Sequence, residues 1–202
     1  MRYDAEHKER TRARVLKEAV KAIRAEGPER IGVAGVMARA GLTHGGFYAH
    51  FESKDDLVLA AIGEMFAGAR GTFERYTAGK PPREALQTYV DFYLSTAHRD
   101  SREHGCPLPL LSSDLARMQA PARASFAQGV ARLTGLIQGL LEQLGHPDAE
   151  VVAGSTLSEM IGALSLSRAV SDPEQSDAIL ARSRAAVSQR LGLTTQGGEP
   201  RA

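Results

Sequence analysis

Residues 42–57 read LTHGGFYAHFESKDDL. Two adjacent glycines, Gly45 and Gly46, stand directly before an aromatic and histidine cluster, Phe47-Tyr48-Ala49-His50-Phe51. The flanks have helical character, yet a glycine inside a helix costs about 1 kcal/mol relative to alanine. That cost is smallest in a first turn. Glycine there also removes side chains where another molecule must come close to the backbone.

The residues just upstream give this stretch a partner. Val33 to Ala40 reads as a short helix ended by Gly41, and a second short helix is expected from about His44 to Phe51. With ARAGLT between them, the two form a candidate helix-turn-helix, Gly41 supplying the left-handed turn residue. Val36, Met37, Ala40, Leu42, Phe47 and Phe51 have the spacing of a small shared core, and Thr43 is expected to cap the second helix. Downstream, Ser53 reads as the N-cap of a longer helix, with Asp55 and Asp56 in the first turn favouring its dipole. A phosphate-cradling loop does not fit. These glycines follow a helix and a turn rather than a strand, and no Gly-Lys-Ser/Thr or GxGxxG pattern surrounds them.

Further out, the chain of 202 residues shows helical periodicity throughout and no alternating strand pattern. Leu16, Val20 and Ile23 mark a first helix that stops at Gly27-Pro28. After Pro81-Pro82 come longer amphipathic helices. One carries Leu86, Val90, Tyr93 and Leu94, and another runs from Phe126 to Leu144 before Gly145-His146-Pro147. A third spans about Asp148 to Val170, and the last begins after Asp172-Pro173 and ends near Leu191. The expected fold is therefore all-α. A three-helix helix-turn-helix domain occupies residues 1–55, a larger helical domain residues 56–192, and a frayed tail residues 193–202.

Charge is unevenly spread. Up to Lys54 there are eleven Lys and Arg against seven Asp and Glu, a local net of +4 in a chain whose formal net charge is +1. A basic segment on a near-neutral body points to an anionic partner for the N-terminal part. No apolar run approaches the length of a membrane span, and the charged N-terminal stretch lacks the apolar centre of a signal peptide. The lone cysteine, Cys106, excludes an intrachain disulfide and fits a reducing cytoplasm.

The longer string RARVLKEAVKAIRAEG…IGVAGVMARAGLTHGGFYAHFESKDDLVLAAI resembles the N-terminal domain of TetR-type transcriptional regulators. The resemblance rests on the Arg-rich first helix ending at Gly27, Ala40-Gly41-Leu42-Thr43, Phe47-Tyr48, His50-Phe51, and Ser53-Lys54 followed by acidic residues and Leu57. The chain departs from the family's habit before the second helix, where Ile31 and Gly32 stand in place of a frequent Thr or Ser, and within it at Ala34 and Gly35. Those departures bear on DNA contacts from the second helix.

The resemblance implies a recognition helix whose N-terminal residues enter the major groove. It implies Thr43, Tyr48, His50 and Lys54 as phosphate-contacting or groove-edge residues, His44 as the reader of a base edge, and Gly45 and Gly46 as the place of close approach. It also implies a homodimer on a pseudo-palindromic double-stranded operator, acting as a cytoplasmic repressor without cofactor. The helix rich in Gly154, Ser155, Ser158, Gly162 and Ala163, together with the last helix, is expected to form half of a four-helix dimer interface.

For the effector, Tyr89, Tyr93, Met118 and Phe126 are candidates to line an apolar pocket. Pro107 suits the first position of a helix, which would make Cys106 its N-cap, with Arg99, Arg102 and His104 adding positive charge. Such surroundings lower a thiol's pKa and raise its reactivity. The segment GCPLPLLSSDL resembles the Gly-Cys helix start of a TetR subgroup that includes sensors of electrophiles and oxidants, so Cys106 is a candidate sensor thiol, with a buried inert cysteine as the alternative. His98, His104 and Cys106 do not have the spacing of a familiar zinc site, and no metal is expected. An enzyme is the competing class, but no HExxH, GxSxG or nucleophile–base set is present; a helical module without DNA binding is the other.

Overall fold

A computed structural model of the chain describes residues 2–101 and 105–193. Arg102, His104 and the expected tail beyond residue 193 lie outside the described residues. All regular structure among the described residues is helical: α1 (Arg2–Glu26), α2 (Val33–Arg39), a 3-10 turn (His44–Ala49), α3 (Lys54–Thr77), α4 (Pro82–Tyr93), α5 (Thr96–Asp100), α6 (Leu108–Leu115), α7 (Ala120–Gln143), α8 (Ala149–Ala169) and α9 (Pro173–Arg190).

Packing sorts the chain into two compact units: Met1–Arg70 with Arg102–Arg132, and Gly71–Ser101 with Leu133–Ala202. The functional division at residue 55 is a separate matter and stays a proposal.

In the first unit, α1 turns Val15, Ala19 and Ile23 fully inward, at i, i+4 and i+8. Leu16 and Val20 flank that stripe and are only half-buried, so the core face is rotated from the one the large side chains suggested. α1 ends at Gly27, whose φ of +87° lies in the left-handed region that side chains disfavour, and whose N–H closes on the Ile23 carbonyl at 2.8 Å. Gly41, at φ +68°, makes the turn after α2. α3 contributes Leu57, Val58, Ala61, Ile62 and Met65, and α6 contributes Leu108, Leu111 and Leu115. Each such side chain removed from water is worth about 1.5–3 kcal/mol.

The second unit pairs α8 with α9 and packs both against α4. The start of α9 is capped by Asp172, whose carboxylate accepts the Gln175 N–H at 2.9 Å, with Pro173 in the first turn. α5 has no counterpart in the sequence reading. It is five residues long, and Ser95 caps it by accepting the His98 N–H at 3.1 Å. The His98 ring is buried, with Nδ1 donating to the Tyr93 carbonyl at 2.8 Å. Arg168 of α8 donates to the carbonyls of His98 and Arg99, each at 3.0 Å, and Arg99 in turn bonds Ser176 and Asp177 of α9.

Candidate nucleic-acid interface

The segment that carries the resemblance folds around two rings. Phe47 and Phe51 are about 1–2 % exposed and lie with centroids 5.8 Å apart, joined in the core by Val36, Met37 and Ala40. Leu42, expected in the same core, is half-buried. Arg12 of α1 places its guanidinium carbon 4.7 Å from the centre of the Phe51 ring, a cation–π contact that ties the first helix to this turn.

The local conformation differs from the expected α-helix. Residues His44–Ala49 form a 3-10 turn that stops before His50 and Phe51. Two adjacent glycines lower the propensity for a regular α-helical turn, and at six residues the run is long for 3-10 geometry. Thr43 occupies the cap position in extended conformation, but its hydroxyl makes no cap bond; its backbone carbonyl takes the Gly46 N–H at 3.1 Å. The expected side-chain cap is therefore replaced by a backbone one.

Neither glycine is demanded by the fold. Gly45 and Gly46 do not have positive φ. A Cβ on Gly45 would meet nothing within 4 Å, and one on Gly46 would touch Met37 and Thr43 at ordinary distances of 3.7 and 3.9 Å.

Outward from the buried rings, Thr43, His44 and Gly45 are exposed, and Tyr48 stands out at 70 % exposure. Its ring makes an edge contact with Phe47 at 5.3 Å, so the buried phenylalanine braces the exposed phenol. His50 is half-buried. Its Nδ1 is shielded from solvent and has no hydrogen-bond partner among the described residues. Burial holds its pKa below the ordinary histidine value, and the neighbouring charges of Lys8, Arg12 and His7 push it the same way. Lys8 and Arg12, four residues apart on α1, thus belong to this surface; their i, i+4 spacing in the Arg-rich helix was the signal for it.

Lys54 opens α3. Its ammonium donates to the Glu29 carbonyl at 2.6 Å, which ties the start of α3 to the α1–α2 turn. The start of α3 follows the capping pattern expected of it: the Ser53 hydroxyl accepts the Asp56 N–H and the Asp56 carboxylate accepts the Glu52 N–H, both at 3.1 Å.

The effector candidates fall in different units. In the second, Tyr89 and Tyr93 are nearly fully buried, with ring centres 5.9 Å apart and Phe73 packed 4.7 Å from Tyr89. In the first, Phe126 lies 5.6 Å from Phe66, and Met118 borders a cavity of about 630 Å³. Cys106 is half-buried. Pro107 already has helical dihedrals, and its carbonyl accepts the Leu111 N–H at 2.9 Å, so Pro107 takes the capping position and Cys106 precedes it by one residue. Arg24 of α1 lies within electrostatic reach of Cys106; burial lowers the pKa of that guanidinium, and the interaction with Cys106 offsets part of the shift.

Among the described residues, no helix is long and apolar enough to cross a membrane. Residues 15–61 match the family described as bacterial regulatory proteins, tetR family. An uncharacterized HTH-type transcriptional regulator of Bacillus subtilis, YerO, is 29% identical over 95 residues, which cover 45% of this chain and 31% of that protein. The match thus spans about a third of that relative's length. A TetR transcriptional regulator from Chloroflexus aurantiacus superimposes with a TM-score of 0.79 at 22% identity, over 93% of this chain and 96% of its own. Escherichia coli NemR in its reduced form gives 0.78 at 18% identity, over 89% and 95%. A TetR-family regulator from Cytophaga hutchinsonii gives 0.78 at 17%, over 91% and 96%. At these identities the structural likeness speaks for the fold.

Proposed function

We propose that this chain, whose residues 15–61 match the tetR family of bacterial regulatory proteins, is a DNA-binding transcriptional regulator that works as a homodimeric, non-enzymatic repressor, released from a pseudo-palindromic operator by a small molecule or reactive electrophile. The observation that carries the reading is the exposed polar and aromatic edge, Thr43, His44 and Tyr48, held up by the buried pair Phe47 and Phe51 beside the cations of α1. Hydroxyl, phenol and ammonium groups are donors suited to phosphate oxygens, and His44 is the one placed to read a base edge. The bare backbone at Gly45 and Gly46 leaves room for DNA to approach.

Dimerisation is supported by α8. Val151 and Leu166 are large apolar side chains left 72 % and 60 % exposed, and Ser155, Ser158 and Gly162 fall between them at i, i+4 and i+7-type spacing on the same side of the helix. Such a stripe suits a self-complementary contact with a second copy, in which small residues let the helices approach. A dimer would set two recognition segments about 34–36 Å apart, one helical turn of DNA.

Cys106 is the reactive centre of the electrophile reading. Cys106 is a partly accessible thiol within electrostatic reach of the buried Arg24 guanidinium, and cationic surroundings are where reactive cysteines are found. Release would then be a population shift, requiring the modified protein to favour a state that fits DNA less well. Footprinting of the DNA upstream of its own gene, with and without N-ethylmaleimide, tests the whole reading. Protection of a two-fold-symmetric site, its loss on treatment, and persistence of binding in treated Cys106→Ser are expected. No footprint removes the DNA-binding role, and unaltered protection after stoichiometric alkylation of Cys106 removes the sensor.

A further inference from the structure

We propose that the cavity of the first packing unit is a binding site for an organic monocation with an apolar body, distinct from the surroundings of Cys106. The cavity has a volume of about 630 Å³, enough for a small drug-sized molecule. It lies where the α1–α2 turn, the first two turns of α3 and the α6–α7 connection meet, all within one unit. Its wall is apolar where it is deepest: Pro28, Val58 and Ala122 are buried, and Leu59 and Met118 are half-buried beside them.

The charge on the wall is unbalanced. Four acidic residues line the space, Glu29, Glu52, Asp55 and Asp56, against two basic ones, Lys54 and Arg117. Both cations are already engaged. Lys54 donates to the Glu29 carbonyl at 2.6 Å, and Arg117 pairs with Asp114 at 3.0 Å and with Glu29 at 3.8 Å. Of the carboxylates, Asp56 accepts the Glu52 N–H, whereas those of Glu52 and Asp55 make no ion pair among the described residues. An apolar recess rimmed by an excess of acidic over basic residues selects an occupant that is greasy and positive, and it repels an anion of the same shape. Because the site is assayed by binding alone, the proposal stands or falls independently of operator recognition.

The test is calorimetry with tetraphenylphosphonium, using tetraphenylborate as the probe of equal shape and opposite charge. Full-length protein is expected to bind the cation at least about tenfold more tightly than the anion, with affinity falling as salt is raised. The Glu52→Gln/Asp55→Asn double variant is expected to lose about tenfold in cation affinity. Met118→Trp, which fills the rim without changing charge, is expected to block both probes. Amide shifts on titration are expected at residues 28–29, 52–59 and 117–122. Circular dichroism monitors folding; if the double variant does not fold, Glu52→Gln alone and Met118→Trp decide. Equal affinity for the two probes, no binding of the cation at millimolar concentration, undiminished affinity in folded variants, or shifts confined to other residues would each overturn the site.

Discussion

The ring of Phe66 lies flat against Gly129: a Cβ built on Gly129 would come 2.4 Å from Cγ and Cδ1 of that ring. Here α3 and α7 touch through a glycine because an aromatic ring fills the place of its side chain. Phe126, one turn earlier on α7, meets the same ring edge-on at 5.6 Å. Alanine at 129 would gain about 1 kcal/mol of helix propensity but overlap a ring atom close to the backbone, which cannot swing clear. Overpacking of this kind costs about 1–3 kcal/mol. Gly129→Ala is therefore expected to destabilise by up to about 2 kcal/mol in urea unfolding. In a Phe66→Leu background the same substitution becomes neutral or favourable; additive effects of the two changes would contradict the contact.

The glycines of the 3-10 turn have the opposite prognosis. Nothing inside the protein crowds a Cβ on Gly45, and its backbone angles are open to alanine. Gly45→Ala is expected to fold normally and to gain about 0.4–1 kcal/mol from a less free unfolded chain, while weakening DNA binding through the added methyl. Unimpaired binding in a gel-shift assay would leave the close approach to DNA without support.

Tyr48 and Lys54 should act through phosphate rather than base sequence. Tyr48→Phe or Tyr48→Ala, and Lys54→Ala, are expected to weaken binding to all sequences alike; losing the Lys54 cation should flatten the log-affinity against log-salt slope by about 0.9 per phosphate released. Lys54 carries a second expectation. Its bond to the Glu29 carbonyl means that Lys54→Ala also loosens the α1–α2 turn, by about 0.5–1.5 kcal/mol for one hydrogen bond. Isotherms at several salt concentrations, read beside unfolding curves, separate the two effects.

Acid should weaken the second unit through His98. Burial, reinforced by the nearby charge of Arg168, holds its pKa below the ordinary value, against the opposing pull of its bond to the Tyr93 carbonyl. The unfolded chain then binds the proton more readily than the folded one. The stabilisation is fully present above the ordinary histidine value of about 6.5 and is lost as pH falls below it toward the depressed folded value. Unfolding midpoints should therefore drop between pH 7.5 and 5.5, and His98→Asn should show a smaller drop over that interval. Identical pH profiles would exclude His98 as the source.

The helical order was legible because it is written in local signals. Ser53 with Asp56, Asp172 with Pro173, and Gly27 and Gly41 mark starts and stops by cap chemistry and left-handed turns that need no tertiary information. The buried pair Phe47 and Phe51 was equally readable, since nearby helical spacing brings their rings together. What escaped depended on partners far along the chain. The stripe of Val15 and Ala19 became the core face of α1 through tertiary packing rather than side-chain size. α5 is too short for periodicity to show. The 3-10 geometry at His44–Ala49 reflects a balance between closely similar turns, which propensity does not resolve. Arg24, whose charge reaches Cys106, stands 82 positions away, and no local pattern announces that pairing.

The first packing unit is stitched from two separated stretches of chain, 1–70 and 102–132. Asp114 closes on the Gly27 turn, Arg117 reaches Glu29, and Gly129 seats Phe66. The consequence is for modularity. A chimera that transplants only residues 1–55 onto another helical body would leave behind the surfaces on which its first turn and third helix are seated. On the proposed reading, a portable DNA-binding head would be a discontinuous one. Exchanging specificity would then call for carrying the 102–132 segment along, or for confining the exchange to the exposed edge at Thr43, His44 and Tyr48.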